Sequence, residues 1–454
     1  MPLRRLMLGF LLTVTAGFAA FALGHMFPPA PYGLADDWRV FYAAAQVISQ
    51  GGNPYDSTIM HVAEQAAQHY ASVQPSLDDF TDLPVVGLAL RAFTWLPYWW
   101  SYAVFTGTGI AVAGLALWAW LRELGWSRAG LWLVAALLSW PLLLGVFAGQ
   151  FDLLMLGGLV ASLILMRRDA PWLAGLCMAV VLLKPHILWP LPLLLGAAWV
   201  ADPQRLWRFA AAATLVLVGG AGAGFVLVAH SADFFPHVLG FDSRVTAGQP
   251  DLSGIPGLFA HLPQGALIGD VVAIAGALGV FGLALLAVRD PRLRGLAAPQ
   301  RSLIPLAGLA LWLACTPYAH PNDDVLLFPL LAMVVAERAR NLDPRWLQLG
   351  IIGSLALIFA FITAPAIGAA LLVAAAVMLA ALRHRIAEGS VAALALTTLV
   401  LLPDVWPFHL VAVSPTPVAV SLVALAGLLE LRARLQLKIG VRHSGPLALQ
   451  LRGG

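Results

Sequence analysis

The sequence predicts an all-α protein that crosses a lipid bilayer many times, and two observations indicate this. Hydrophobic residues make up 60% and charged residues 11% of the 454 residues, whereas about a quarter of the residues of an average soluble domain are charged. The apolar residues also gather in repeated long runs, as in proteins that span membranes. The mean hydropathy of +0.85 agrees with this class. We therefore expect one integral membrane domain over residues 1–454, with the lipid bilayer as a partner.

Each apolar run is a candidate membrane-spanning helix. A straight helix needs about 20 residues to cross the hydrocarbon and several runs are shorter, so we expect about 12 to 14 spans. The first run follows Arg4 and Arg5 and has no small-residue cleavage site at its end, which favours a retained anchor over a signal peptide. The runs lie at 6–25, 98–121, 129–147, 151–166, 171–184, 185–200, 209–229, 267–288, 302–315, 324–336, 346–363, 366–382, 391–403 and 416–431.

Residues 171–200 fit either one long helix or a hairpin that reverses at Lys184. Arginines flank the run on both sides, at 167–168 and at 205–208. Because connections on the cytoplasmic side of a membrane protein carry an excess of Lys and Arg, both flanks belong on that side. The arginines therefore favour the hairpin.

With the hairpin, the charges separate between the two sides of the membrane. All but four of the 26 Lys and Arg residues fall on the cytoplasmic side, together with both termini and a basic tail at 432–454. Most of the 23 acidic residues fall on the outer side, where larger loops are expected at 26–97 and 230–266. We therefore expect a multi-pass protein of the plasma membrane whose polar chemistry faces outward.

The first outer loop begins with two adjacent acids, Asp36 and Asp37. Apolar residues then recur at helical spacing, at Val40, Phe41, Ala44, Val47 and Ile48. This pattern predicts an amphipathic helix along the membrane surface, ended by the glycines and proline of 51–54. A carboxylate at the start of a helix satisfies free backbone N–H groups, and one of the two acids is enough for that cap.

Other polar residues lie at the outer ends of the apolar runs. Lys184 lies on the outer side of the membrane, where acidic residues predominate. Either its side chain extends so that the amine reaches the membrane interface, or it forms an anion site with His186. A metal site at Asn322, Asp323 and Asp324 is conceivable from the residue types, but no ligand spacing supports it, so no metal or other cofactor is expected. The remaining candidates are Gln150 and Asp152, at the start of one run, and Tyr318 and His320, before another.

Three stretches resemble, in order, the motifs of glycosyltransferase family 87, membrane enzymes of the GT-C class. DWRVFYAAAQVISQGGNPYD (37–56) resembles the family's opening Asp-aromatic pattern. The block that starts GQFDLLML and ends LLKPHILWP (149–190) resembles its Gly-Gln and Lys-x-x-Pro block, and TPYAHPNDDVLLFPLL (316–331) resembles its late Pro-Tyr-x-x-His block. One segment departs from the pattern: FTDLPVVGLALRAFTWLPYWW (80–100) has single prolines where the family often has a proline-rich aromatic segment.

The resemblance implies a GT-C bundle of about 12 to 14 transmembrane helices, with short amphipathic helices in the first outer loop. It also implies transfer of a sugar from a polyprenyl-phosphate donor, outside the membrane and with inversion at the anomeric carbon. An aspartate of the first outer loop would be the general base; by position this is Asp37, with Asp36 as the fallback.

The resemblance implies two roles for the other candidate residues. The candidates for binding the donor phosphate are Lys184 and His320, followed by His186, Arg39 and Arg244. The candidates for other substrate contacts are Tyr42, Gln150, Asp152, Tyr318, Asn322, Asp323 and Asp324.

Several alternatives stay open at this point. Mannose is the sugar that the family most often implies, arabinose is another, and the acceptor is a glycolipid or a glycan. A glycine-rich phosphate loop after a strand is missing from the sequence, which disfavours an enzyme that uses nucleotide sugars, and no feature points to nucleic acid. A lipid-linked sugar transporter without chemistry and a polysaccharide ligase or polymerase of related architecture remain as alternatives.

Overall fold

The structure, a computed structural model, describes residues 34–68, 79–126, 129–137, 139–238, 252–259, 262, 264–339, 420, 421 and 423–432. Within these residues every regular element is a helix, which confirms the expected all-α class. Four expected spans, at 6–25, 346–363, 366–382 and 391–403, lie outside the described residues, as does nearly all of the basic tail.

The helices follow the apolar runs, with additional breaks. In chain order they are α1 (Asp36–Ser49), α2 (Ser57–Gln68), α3 (Pro84–Leu90), α4 (Tyr98–Glu123), α5 (Ala129–Leu137), α6 (Trp140–Ala148), α7 (Asp152–Arg167), α8 (Pro171–Leu176), α9 (Pro185–Leu188), α10 (Pro190–Ala198), α11 (Pro203–Leu227), α12 (Gly265–Arg289), α13 (Pro291–Arg294), α14 (Ala298–Arg301), α15 (Leu303–Cys315) and α16 (Phe328–Ala339). Residues 420–432 are helical wherever they are described. Short 3₁₀ helices, among them Cys177–Leu182 and Pro321–Leu327, join some of these elements.

Prolines explain most of the breaks. Pro141 lies in the first turn of α6, so the expected span 129–147 is divided into α5 and α6. Pro185 and Pro190 likewise begin α9 and α10. A proline cannot donate a backbone hydrogen bond and its ring clashes with the preceding turn, but both properties are harmless at a helix start.

Three described helices, α4, α11 and α12, have the length and composition to cross a membrane. With 25 or 26 residues each, they extend about 38 Å at 1.5 Å per residue, more than the hydrocarbon thickness of about 30 Å. α11 and α12 expose large apolar side chains such as Leu215, Val218, Val271 and Leu278. Such surfaces suit contact with lipid.

Contacts at both ends of α7 confirm the hairpin over 171–200. Lys184, at the break between Cys177–Leu182 and α9, forms an ion pair with Asp152 at the start of α7. Arg205, beyond the end of α10, forms an ion pair of 2.9 Å with Asp169, just after α7 ends. The chain therefore runs back along α7, reverses at Lys184 and returns.

One end of the bundle is rich in arginine. Glu123 binds Arg168 and lies 4.0 Å from Arg167. The guanidinium groups of Arg205 and Arg301 each lie 4.9 Å from the centre of the Trp199 ring. We call this the arginine end, and we call the opposite end, where Lys184 meets Asp152, the polar end.

Helix α1 is more buried than its amphipathic pattern indicates. Its apolar residues are buried and so are Arg39 and Tyr42 on its other faces, so other parts of the protein cover several of its sides. Neither aspartate caps it, because the N-cap residue is Ala35 and both acids belong to the first turn. Their charges still lie at the positive end of the helix dipole.

A buried ion-pair triad attaches α1 to α2. Arg39 is only 1% exposed, with Asp36 at 3.0 Å on its own helix and Glu64 of α2 at 3.1 Å. Glu64 is fully buried. A buried charge is tolerable only when it is paired, so these three residues depend on one another.

Replacing Glu64 by alanine should therefore destabilise the protein by about 3–5 kcal/mol, because the Arg39 charge loses a buried partner. The measurement is the free energy of unfolding in detergent micelles. Gln65→Ala is the matched control, since the neighbouring Gln65 is exposed. Equal stability of the two variants would contradict the role of the triad.

Candidate active site

The carboxylate of Asp37 lies at the polar end, in the first turn of α1. The side-chain amide of Gln150 donates a hydrogen bond of 2.8 Å from Nε2 to Oδ2 of Asp37. Gln150 follows Gly149, which ends α6 with φ of +79°. A Cβ atom on Gly149 would come within 2.7 Å of Cβ of Trp38. Glycine is therefore required both by the backbone angle and by the approach of α1.

Trp38 fixes the rotation of α1 about its axis. Its indole N–H donates to Oγ of Ser101 at 3.1 Å, and its ring stacks on Phe105 with 4.4 Å between centroids. The start of α1 is held as well: the N–H of Ala35 donates to the carbonyl of Phe147, and the Tyr98 hydroxyl donates to the carbonyl of Ala35. These contacts orient the neighbouring Asp37.

Lys184 joins two carboxylates at the polar end. Its ammonium lies 3.0 Å from Oδ1 of Asp152 and 2.9 Å from Oδ1 of Asp323. The amide of Asn322 donates to the other oxygen of Asp152 at 2.7 Å. All four side chains are buried. We call them the lysine cluster; its formal charge is one negative.

The last of the three predicted motifs is held in place by its own side chains. The backbone N–H of His320 donates to Oδ2 of Asp323 at 3.0 Å, and the His320 side chain accepts from the backbone N–H of Asp323. This reciprocal capping box starts the 3₁₀ helix Pro321–Leu327 and sets His320 beside the lysine cluster.

Asp37 shares one electrostatic environment with this cluster. Burial raises the pKa of the Asp37 carboxyl, while the Gln150 hydrogen bond and the charges of Lys184, His320 and Arg39 act in the opposite direction. The structure thus brings residues of all three motifs to a single site.

The remaining candidates have other surroundings. Asp36 and Arg39 belong to the buried triad with Glu64. The Tyr42 hydroxyl donates to the carbonyl of Leu96, so it ties α1 to the segment before α4. Asp324 is buried within the 3₁₀ helix after His320. Arg244 lies outside the described residues.

His186 and Tyr318 contact each other near the lysine cluster. Their ring centroids lie 5.7 Å apart in an edge-on arrangement. The carbonyl of His186 accepts a hydrogen bond of 2.8 Å from the indole of Trp312. Within the described part of the chain, no group of three or more His, Cys, Asp and Glu side chains is arranged to hold a metal ion.

Asp82 is a residue of this site that the sequence analysis did not select. It interacts electrostatically with Lys184 and Asp37, and burial raises its pKa to about 7. The sequence did contain a signal: Asp82 is the acid within the segment FTDLPVV, where the family pattern is broken.

Comparison with known families covers the middle of the chain. The model of glycosyltransferase family 87 matches residues 80–317, just over half of the protein. The matched region contains Gln150, Asp152 and Lys184, and it begins after Asp37 and ends before His320. No curated protein matches the sequence. The family match and the helical membrane architecture agree, and this chain belongs to glycosyltransferase family 87.

Proposed function

We propose that this membrane glycosyltransferase moves a hexose, with mannose as the first candidate, from a polyprenyl-phosphate donor to a glycolipid or glycan acceptor, with Asp37 as general base. The observation that carries the proposal is the different environment of the two adjacent acids. Asp37 is bonded to Gln150 and shares its surroundings with Lys184 and His320, whereas Asp36 is paired with Arg39.

The chemistry assigned to Asp37 is a single displacement. An acceptor hydroxyl is a weak nucleophile at neutral pH, so the carboxylate takes its proton as the new bond to the anomeric carbon forms. The bond from that carbon to the phosphate oxygen breaks, and the polyprenyl phosphate leaves with the electron pair. Attack opposite the leaving group inverts the configuration.

The leaving phosphate needs cationic or hydrogen-bonding partners. Lys184 and His320 are the proposed ones because both interact electrostatically with Asp37. Two hydrogens of the Lys184 ammonium are directed to Asp152 and Asp323, which leaves one for a phosphate oxygen. Because these carboxylates offset the lysine charge, more of the phosphate contact falls to His320. The scheme uses no metal.

The proposed side of the reaction is the outer face of the plasma membrane. The proposed site lies at the polar end, and Arg167, Arg168 and Arg205 lie at the opposite end. Since basic residues favour the cytoplasmic side, the arginine end is assigned to the cytoplasm. A polyprenyl donor would then present its sugar at the polar end from the outer leaflet.

Asp37→Asn should lower sugar transfer by about 10²–10⁴-fold, because it removes the proton acceptor. Asp36→Asn is the matched control at the adjacent position, and it should keep most of the activity and lose stability. The assay uses protein in detergent with lipid, short-chain polyprenyl-phosphate-mannose and a panel of glycolipid acceptors. Transfer that persists in Asp37→Asn and disappears in Asp36→Asn would move the base to Asp36. No transfer by the native chain would favour a transporter.

The proposed base also predicts the pH dependence of the rate. Burial raises the pKa of Asp37, and only the ionised carboxylate accepts a proton. The rate should therefore fall on acidification at a pH above the ordinary aspartate pKa of about 3.9. We would measure kcat/KM against pH in the Asp82→Asn background, so that titration of Asp82 does not contribute. An acid limb at the ordinary aspartate value would argue against Asp37.

Lys184→Met should destabilise the protein by about 3–5 kcal/mol, because two buried carboxylates lose their common cation. Adding Asp152→Asn to this variant should recover part of the loss, since one unpaired charge is removed. Chemical unfolding in detergent measures both effects. If the single variant is as stable as the native chain, the lysine cluster does not contribute to stability as described.

A further inference from the structure

Gln150 lies at a fixed corner of the chain between α6 and α7. Its backbone N–H donates to the carbonyl of Gly145 at 2.9 Å, and the left-handed Gly149 completes the turn that ends α6. On the other side of Gln150, Phe151 is buried, and its ring centroid lies 4.3 Å from that of Phe41 of α1. The main chain of Gln150 is therefore held on both sides.

The same corner also packs against the lysine cluster. A Cβ atom on Gly145 would come within 3.3 Å of Oδ2 of Asp152 and 3.7 Å of Cβ of Asn322. The corner thus contacts both α1, which carries the proposed base, and the cluster that is proposed to face the donor phosphate. Gln150 belongs to the framework that sets these two groups relative to each other.

The two polar atoms of the Gln150 amide have different surroundings. Nε2 donates to Oδ2 of Asp37 at 2.8 Å. Oε1 is buried and has no hydrogen-bond partner within the part of the chain that the structure describes. The orientation of the amide follows from the chemistry, because an ionised carboxylate accepts hydrogen bonds and does not donate them. Since Oε1 and Nε2 share one carbon, Oε1 lies within about 5 Å of the Asp37 carboxylate.

A buried amide oxygen without a donor is unfavourable, and native proteins rarely contain one. Such an atom points to a ligand or a bound water that supplies the donor. Gln150 as a whole is partly exposed. Access of a ligand to Oε1 needs movement of the side chains around it, which is common on binding. The proposed reaction brings sugar hydroxyls to this place, and each hydroxyl carries a hydrogen to donate.

We propose that Gln150 binds a substrate hydroxyl through Oε1 while its Nε2 holds Asp37. The hydroxyl is a neighbour of the reacting atoms, on the donor sugar or on the acceptor. This role of Gln150 rests on the function proposed above and deepens it. Because one planar amide carries both contacts, a hydroxyl bound at Oε1 is set at a fixed distance from the base, which favours a reactive geometry.

The test compares the native chain with Gln150→Met, which has a similar length and no polar atom, and Gln150→Glu, which keeps an acceptor oxygen. Gln46→Met is the matched control, because Gln46 is also partly exposed and lies on α1. The probes are short-chain polyprenyl-phosphate-mannose as donor, octyl α-mannoside as acceptor, and the monodeoxy analogues of both sugars.

For the native chain and Gln46→Met we expect one monodeoxy analogue to have a kcat/KM about 10-fold below that of its parent, the effect of losing a hydrogen bond to a buried acceptor. Gln150→Met should be slower on every substrate, because the base loses its hydrogen-bond donor. It should use that analogue and its parent within about twofold of each other, since only groups in contact are non-additive. The analogue that behaves in this way shows whether Oε1 binds the donor sugar or the acceptor.

Gln150→Glu should keep the discrimination between that analogue and its parent. Its rate at neutral pH should fall, because a second carboxylate then faces Asp37 and disfavours the ionised base. Each comparison is a ratio within one variant, so a partial loss of folded protein cancels. For a variant too slow to assay, isothermal titration calorimetry with each substrate alone supplies the same ratio.

Unchanged discrimination in Gln150→Met for every analogue would overturn the role of Gln150, and it is the result expected if Oε1 binds only water. Equal use of all analogues by the native chain would overturn that role too, and it would leave the proposed function intact. If the native chain transfers no sugar from any donor to any acceptor, the proposed function fails, and the role of Gln150 fails with it.

Discussion

The ammonium of Lys184 connects three distant parts of the chain. Asp152 begins α7, Lys184 lies at the turn of the hairpin, and Asp323 follows α15. Each of these charges would be costly alone in a medium of low dielectric constant, and each is paired here. The position of the hairpin, the course of the 3₁₀ helix and the placement of His320 all depend on this cluster.

A second constraint, the backbone conformation of two residues, positions Asp37 beside that cluster. Ala35 has φ of +59° and Gly149 has φ of +79°. Ala35 precedes α1, which carries Asp37, and Gly149 precedes Gln150. The hydrogen bond between Asp37 and Gln150 therefore joins two residues that each come shortly after a residue in the left-handed conformation. Such angles are unfavourable for alanine, and the hydrogen bonds of Ala35 to Phe147 and Tyr98 compensate for them.

Much of this architecture could be predicted from the sequence, because it depends on local composition. Apolar runs predicted α4, α11 and α12, arginine placement predicted the hairpin, and motif order brought Asp37, Lys184 and His320 into one hypothesis. The burial of α1 by the rest of the protein was not predicted, because periodicity reports only what one helix contains. The face of α1 that carries Arg39 is buried with an ion-pair partner, Glu64, which lies on another helix. Asp82 was missed for a similar reason, since its electrostatic interaction with Lys184 and Asp37 joins segments that are far apart in the sequence.

The lysine cluster also has a consequence for the order of assembly during synthesis. A chain emerges from the ribosome from its N-terminus, so Asp152 and Lys184 are present together well before Asp323, which follows Lys184 by 139 residues. The first ion pair can therefore close while α7 and the hairpin enter the bilayer. The second closes only after α11, α12 and α15 have been made. Completion of the site is thus a late event in biogenesis, and a truncated chain that ends before Asp323 would carry Lys184 with one of its two carboxylates.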